Sequence, residues 1–186
     1  MRYESFKIFT LVGMFALIAL FSGCKKSTYH QLTDEDMKWL AYKNYDVMKF
    51  ANGTGDFVNY YVTLRVKSYQ KDGDTYSEFT AADFVQLNDT SALVTEDTKG
   101  GIYIFKGDGG LIVSFTWPHF ALKGLPLSSL PPTIVNVGGI NYNDVFKIDS
   151  SGLTDLRNYI RIIWVSKSKG VLQMEDTSGN LWVREF

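Results

Sequence analysis

Val58-Asn59-Tyr60-Tyr61-Val62-Thr63-Leu64-Arg65-Val66-Lys67 is the stretch that decides the fold class. Val58, Tyr60, Val62, Leu64 and Val66 alternate with Asn59, Tyr61, Thr63, Arg65 and Lys67. A period of two places the first set on the buried face of a β-strand and the second on its wet face. The same reading works outward along the chain. Ile102 and Ile104 oppose Tyr103 and Phe105, and Leu111, Val113, Phe115 and Trp117 form a further face. Ile160, Ile162 and Trp164 form a third, followed by Leu172 with Met174 and Leu181 with Val183. Between these runs lie Asn52-Gly53-Thr54-Gly55, Asp72-Gly73-Asp74, Gly107-Asp108-Gly109-Gly110, Lys169-Gly170 and Ser178-Gly179-Asn180. Gly and Asn supply the positive φ that tight hairpins require. No helical run is long enough to cross over between parallel strands. The predicted class is all-β, an antiparallel meander forming a sandwich or a partly open barrel.

Ahead of the strands, Thr33-Asp34-Glu35-Asp36 starts a helix. Thr33 can cap the first free amides, and the acids sit at the positive end of the helix dipole. Met37, Leu40 and Ala41 recur at helical spacing, which predicts one short helix near residues 34–42. Asn44-Tyr45-Asp46-Val47-Met48-Lys49-Phe50 is echoed by Asn141 to Ile148 with one inserted residue. The matched stretch is short, and both chance likeness of strand-forming sequences and a duplication would produce it.

One segment breaks the period. All four prolines, Pro118, Pro126, Pro131 and Pro132, lie between Trp117 and Thr133. Proline cannot donate to a sheet ladder, so this segment is a long connection. It nevertheless carries Phe120, Leu122, Leu125, Leu127 and Leu130, and a loop so apolar must lie against something. It is either a flap sealing one end of the sheet or a lid over a ligand cavity.

The amino terminus has a different composition. Arg2 and Lys7 precede a run without charge from Ile8 to Phe21. That run suits a signal-peptide core and is short for a membrane-spanning helix, which needs about 20 apolar residues. Ser22 and Gly23 then precede Cys24, the sole cysteine. Leu20-Phe21-Ser22-Gly23-Cys24 resembles the lipobox of bacterial lipoproteins, with Phe21 where Leu is usual and Leu20 one step out. The resemblance implies cleavage before Cys24 and acyl chains on that residue. Two or more such chains hold a protein on a membrane stably. Lys25 and Lys26 follow the cysteine, with no Asp and no acidic run. By analogy with lipoprotein sorting, this implies the outer membrane and a domain facing the periplasm, with surface exposure as the alternative. The expected organisation is a leader over 1–23, a lipidated cysteine and polar tether over 24–33, and one β domain over 34–186. Tyr142-Asn143-Asp144-Val145-Phe146, Ile162-Ile163-Trp164, Lys169-Gly170 and Gly179-Asn180-Leu181-Trp182 are similar to strands and hairpins of many small lipoproteins of Gram-negative gut bacteria. These motifs are structural and carry no catalytic residue across.

Composition excludes some functions. The net charge is −1, with no basic stripe to follow nucleic acid. With one cysteine, no internal disulfide can staple the fold. His30, placed in the tether, and His119 are the two histidines, so no zinc constellation can be written and no metal or cofactor is implied. Asp72-Gly73-Asp74 with Glu78 lacks the ligand ladder of a helix-loop-helix calcium loop and reads as a hairpin turn. A serine nucleophile would need a base with an orienting acid, and no Gly-x-Ser-x-Gly elbow occurs. Two carboxylates meeting in space would still permit a hydrolase acting on envelope or dietary glycans. Aromatic side chains are the remaining resource. Trp117 is expected on an apolar face, while Trp182 alternates with Leu181 and Val183 and is read as facing out. The expected role is therefore non-enzymatic, binding or scaffolding in the envelope. The membrane is met through lipid on Cys24, and the partner is an envelope protein or a lipid or glycan ligand. If the ligand is small, Trp117, His119, Phe120 and Trp182 are the candidate binding residues.

Overall fold

The computed structural model describes residues 26–87, 99–118, 125–150 and 160–186. Its strands are β1 (Thr28–His30), β2 (Val47–Ala51), β3 (Phe57–Leu64), β4 (Ser68–Asp72), β5 (Thr75–Gln86), β6 (Lys99–Gly107) and β7 (Gly110–Thr116). The second half adds β8 (Leu125–Pro126), β9 (Thr133–Val137), β10 (Ile140–Asp149), β11 (Ile160–Ser166), β12 (Gly170–Asp176) and β13 (Leu181–Glu185). All belong to one sheet, ordered β8-β7-β6-β5-β3-β2-β13-β12-β11-β10-β9, with β1 and β4 both pairing β5 off that path. Every pairing is antiparallel except β1 with β5. The all-β, antiparallel expectation holds.

The order is circular in sequence with one break. The first and last strands of the meander, β2 and β13, pair through Val183–Ala51, Arg184–Phe50 and Glu185–Lys49. The break lies between β8 and β9, which follow one another in the chain. Pro131 and Pro132 occupy that crossing, and their missing N–H groups deny it a ladder. The proline-rich connection therefore leaves the seam open. Its described part packs inward, with Leu127 fully buried and Leu130 against the core.

A short helix, α1 (Asp34–Met37), shows that the sheet is curled. Lys106 Nζ on β6 donates to Asp36 at 2.6 Å, and Lys167 Nζ, just past β11, donates to Glu35 at 2.6 Å. In a flat sheet β6 and β11 would stand about 29 Å apart, six strand spacings. Adjacent residues of one helical turn can reach both only if the sheet wraps round. The segment after α1 fills the opening: Trp39 packs on Phe146, and Tyr42 meets Phe84 edge-on and accepts a hydrogen bond from Val171 N at 2.9 Å. Leu32, Trp39 and Tyr42 join Phe50, Val62, Phe84, Ile104, Phe115 and Ile163 in one core.

Several elements depart from the sequence reading. Thr33 forms the expected cap, reciprocated by Asp36 in a capping box, but α1 is one turn long. Tighter i→i+3 bonds carry the chain on to Leu40, because Trp39 and Tyr42 gain more by burial than by continuing the helix. The expected tether joins the sheet early: Thr28–His30 pairs with Thr75–Ser77, and Leu32 N donates to the buried Glu78 carboxylate at 2.6 Å. Val66 leaves its predicted face at the bend between β3 and β4 and is exposed. In β11 a register shift between Ile160 and Ile162 breaks the predicted face. Ile160, Ile163 and Val165 enter the core, while Trp164 packs with Leu172, Val145 and Val183 in a second cluster.

Strand directions sort the connections onto two ends. The β4–β5, β6–β7, β9–β10 and β11–β12 turns share an end with α1, the plugged end. The β2–β3 and β12–β13 turns lie at the other, the far end, together with the end of β5, the start of β6, the end of β7, the end of β10 and the start of β11.

Candidate functional site

At the far end, Trp117 follows β7 and turns into the core, where its ring lies 4.6 Å from Tyr60, 5.4 Å from Phe84, 5.9 Å from Phe115 and 6.0 Å from Phe50. Gly100 makes this possible. A Cβ there would stand 2.5 Å from Pro118 Cδ and 2.9 Å from the Thr116 carbonyl oxygen, so only glycine lets the end of β7 close on β6. Trp117 is therefore buried, as its apolar face implied, and its ring is no surface platform for stacking. Its Nε1–H nonetheless lacks a hydrogen-bond partner. The neighbouring Tyr60 phenol is pushed up by burial, an effect the indole offsets only in part, and no hydrogen bond of good geometry joins the two.

Trp182, the second residue of β13, lies at the same end. It packs against the main core instead of facing out. Its Nε1 donates to Asp176 Oδ2 at 3.1 Å, inside the β12–β13 turn. Burial opposes ionisation of Asp176, but bonds from Asn180 and Trp182 prevail and hold its carboxyl below the usual range. The indole polar edge is thus spent on the turn. His119 and Phe120 belong to the 117–124 connection and lie outside the described residues, as does Cys24. The topology brings two of the candidates, Trp117 and Trp182, to one end of the sheet.

Two further residues there escaped the sequence reading. Asn59 Oδ1, near the start of β3, and Arg161 Nε, near the start of β11, are buried without a partner, like Trp117 Nε1. Arg161 uses its Nη2 on Glu175 and leaves the inner nitrogen unpaired. Among the described residues these are the three buried side-chain polar atoms with no hydrogen bond, and each sits at the far end. An unmet buried donor or acceptor costs about 1–3 kcal/mol, and water or a ligand atom normally meets it. No sequence signal marks such atoms, because their isolation is a property of packing.

The plugged end carries a different feature. An open groove of about 220 Å³ runs between the β4–β5 and β6–β7 hairpins, lined by Gln70, Asp72, Thr75, Ser77 and Asp108, by Phe105 and Ile112, and by neighbouring glycines. His30 Nε2 meets Asp108 Oδ1 at 2.7 Å beside it, and Ser77 is the register partner of His30. These are the side chains of a nucleophile, a base and an acid. Among the described residues, however, no hydrogen bond links Ser77 to His30, and the Asp108 side chain is 80% exposed. A solvent-screened pair contributes little and activates no hydroxyl. Among the described residues, no group of three His, Cys, Asp or Glu side chains is set to hold a metal ion.

No family model, curated protein or solved structure matches the chain.

Proposed function

We propose that this chain is a lipid-anchored protein of the bacterial outer membrane, facing the periplasm, whose β domain acts by binding through its far end. The lipobox-like sequence at Cys24 supports the anchor. One observation carries the binding reading. Among the described residues, the three buried side-chain polar atoms left without partners, Asn59 Oδ1, Trp117 Nε1 and Arg161 Nε, all lie at the far end. Tight turns and a plug close the other end, so the two ends are not equivalent. Recognition residues concentrate on connections held by a rigid scaffold.

Photo-crosslinking side chains at Leu87 and Leu181, both exposed at that end, test the reading in intact cells. A discrete envelope partner captured from both positions, and not from a control at Tyr69, supports it. Capture that is equal from all three positions overturns the far-end assignment. A small ligand held beneath the 117–133 connection is the second reading, favoured by the unpaired indole N–H of Trp117. A thermal-shift panel of envelope lipids, cell-wall fragments and glycans separates the two. A ligand that binds only the folded state adds about 2.7 kcal/mol at a hundredfold excess over Kd.

A further inference from the structure

Strand register sorts the outer wall beside the plugged end into rows. Phe79 stands opposite Phe105, and Phe105 opposite Ile112. Ile104 and Val113 beside them enter the core, so Phe79, Phe105 and Ile112 lie on the face turned away from it. Ile112 is 47% exposed. One row nearer the tip, Gln70 stands opposite Ser77, and Gly107 opposite Gly110. Asp72 and Thr75 pair one row further out. The wall is thus an apolar shelf bordered by a polar, glycine-floored trough. The groove of about 220 Å³ is that trough with the edge of the shelf, Phe105 and Ile112.

Two observations mark the trough as a place for a ligand. Ser77 is only 8% exposed and lines the groove, yet among the described residues its hydroxyl makes no hydrogen bond. Buried hydroxyls are normally met, so this one is open to a group in the groove. The glycines supply the second. A Cβ on Gly107 would stand 2.8 Å from Phe105 Cε1 and 3.3 Å from Ser77 Oγ, so glycine there lets the ring and the hydroxyl lie side by side. At Gly109 and Gly110 nothing stands within 4 Å of a Cβ position, and the hairpin backbone is open to close approach.

The lining selects the ligand. It holds no lysine or arginine for an anion. Among the described residues no three metal-ligating side chains gather. A wholly apolar molecule would strand the Asp72 carboxylate and the Ser77 hydroxyl. Asp108 is paired with His30 and lies largely in water, which weakens its pull on a cation. A ring with an apolar C–H face and a rim of hydroxyls meets both rows at once, and pyranoses with equatorial hydroxyls have that form. The volume falls below the roughly 300–1,000 Å³ of drug-sized pockets, which suits one ring of a longer chain. We infer that this groove binds a saccharide, with the C–H face of one pyranose on Phe105 and Ile112 and its hydroxyls donating to Asp72, Gln70 and Ser77. The site is separate from the far end and rests on neither the anchor nor the far-end reading.

The test uses the full chain in a detergent without a sugar headgroup. Cellotetraose and chitotetraose are the equatorial probes, and α-mannotetraose, whose 2-hydroxyls are axial, is the contrast. Saturation-transfer NMR is expected to show transfer to an equatorial probe, stronger to the protons of one ring face than to those of the other. Gln70→Ala and Asp72→Ala, both on the exposed β4, should each weaken binding roughly tenfold with the melting temperature unchanged. Phe105→Leu keeps apolar bulk without the ring and should remove the face preference. Leu87→Ala at the far end should change nothing. No transfer to either equatorial probe overturns the inference. Equal binding of α-mannotetraose overturns the stacked pose. Binding that survives Asp72→Ala and Gln70→Ala but is lost in Leu87→Ala overturns the location and gives the sugar to the far end.

Discussion

Gly170→Ala is the perturbation whose cost the structure defines best. Gly170 opens β12 at φ +75°, in the left-handed region that side-chain-bearing residues avoid. A Cβ there would stand 2.6 Å from Tyr42 Cε1, and closer still to Cζ and the hydroxyl oxygen, where carbon contacts settle at about 3.5–4.0 Å. Backbone strain contributes about 1 kcal/mol, reduced by the lower entropy of an unfolded Ala. Displacing Tyr42 costs about 1–3 kcal/mol in repacking. Displacement also strips the buried Val171 N–H of its acceptor, for about 1–3 kcal/mol more. The expected loss is roughly 2–6 kcal/mol from a domain total of about 5–15 kcal/mol. Urea unfolding followed by tryptophan fluorescence measures it, with an unchanged m-value confirming that stability alone has moved. In a Tyr42→Leu background the steric part is absent, and Gly170→Ala should cost only about 1 kcal/mol. A loss below about 1 kcal/mol in the native background, or equal losses in both, would refute the account of this contact.

Tyr42→Phe keeps the ring but removes the acceptor for Val171 N; it is expected to cost about 1–3 kcal/mol and to speed amide exchange at Val171. Stability is expected to fall in acid. Burial opposes ionisation of Asp144, but bonds from Ser168 and Ser166 outweigh it and hold the carboxyl below its usual range. A depressed folded-state pKa gives stability that is present above the unfolded value, about pH 4, and lost as pH falls through the folded value. Melting temperatures between pH 5 and pH 2 should therefore drop less steeply in Asp144→Asn than in the native chain. Cys24→Ser should move the chain from the membrane fraction to the soluble one and abolish incorporation of labelled fatty acid; unchanged fractionation would rule out Cys24 as the anchor.

The strands that sequence reads correctly are those whose alternation is uninterrupted. β3, β6 and β7 have Tyr60, Val62, Ile102, Ile104, Val113 and Phe115 on the buried face that period-two counting assigns. β11 fails because a bulge inserts one residue and reverses every side chain beyond it. His30 was misplaced for a related reason. Nothing local says that Thr28–His30 will find the length of β5 that β6 leaves uncovered. Trp182 alternates as an outward residue, yet Met174 opposite it faces the core and sets its direction. At the candidate site, the chain announces Trp117 and the proline-rich connection. It is silent on Asn59 and Arg161, which became notable only when their neighbours failed to pair with them.

Sequence by itself determined the all-β class, the positions of the tight turns, the cap at Thr33 and the lipobox-like segment at Cys24, because each rests on residues adjacent in the chain. Tertiary structure decided the rest. It chose which strands became neighbours, left the seam at β8 and β9, plugged one end with Trp39 and Tyr42, and brought Trp117 and Trp182 to the other. Pairing partners and ends are set by contacts between residues far apart in sequence, and local periodicity carries no record of them.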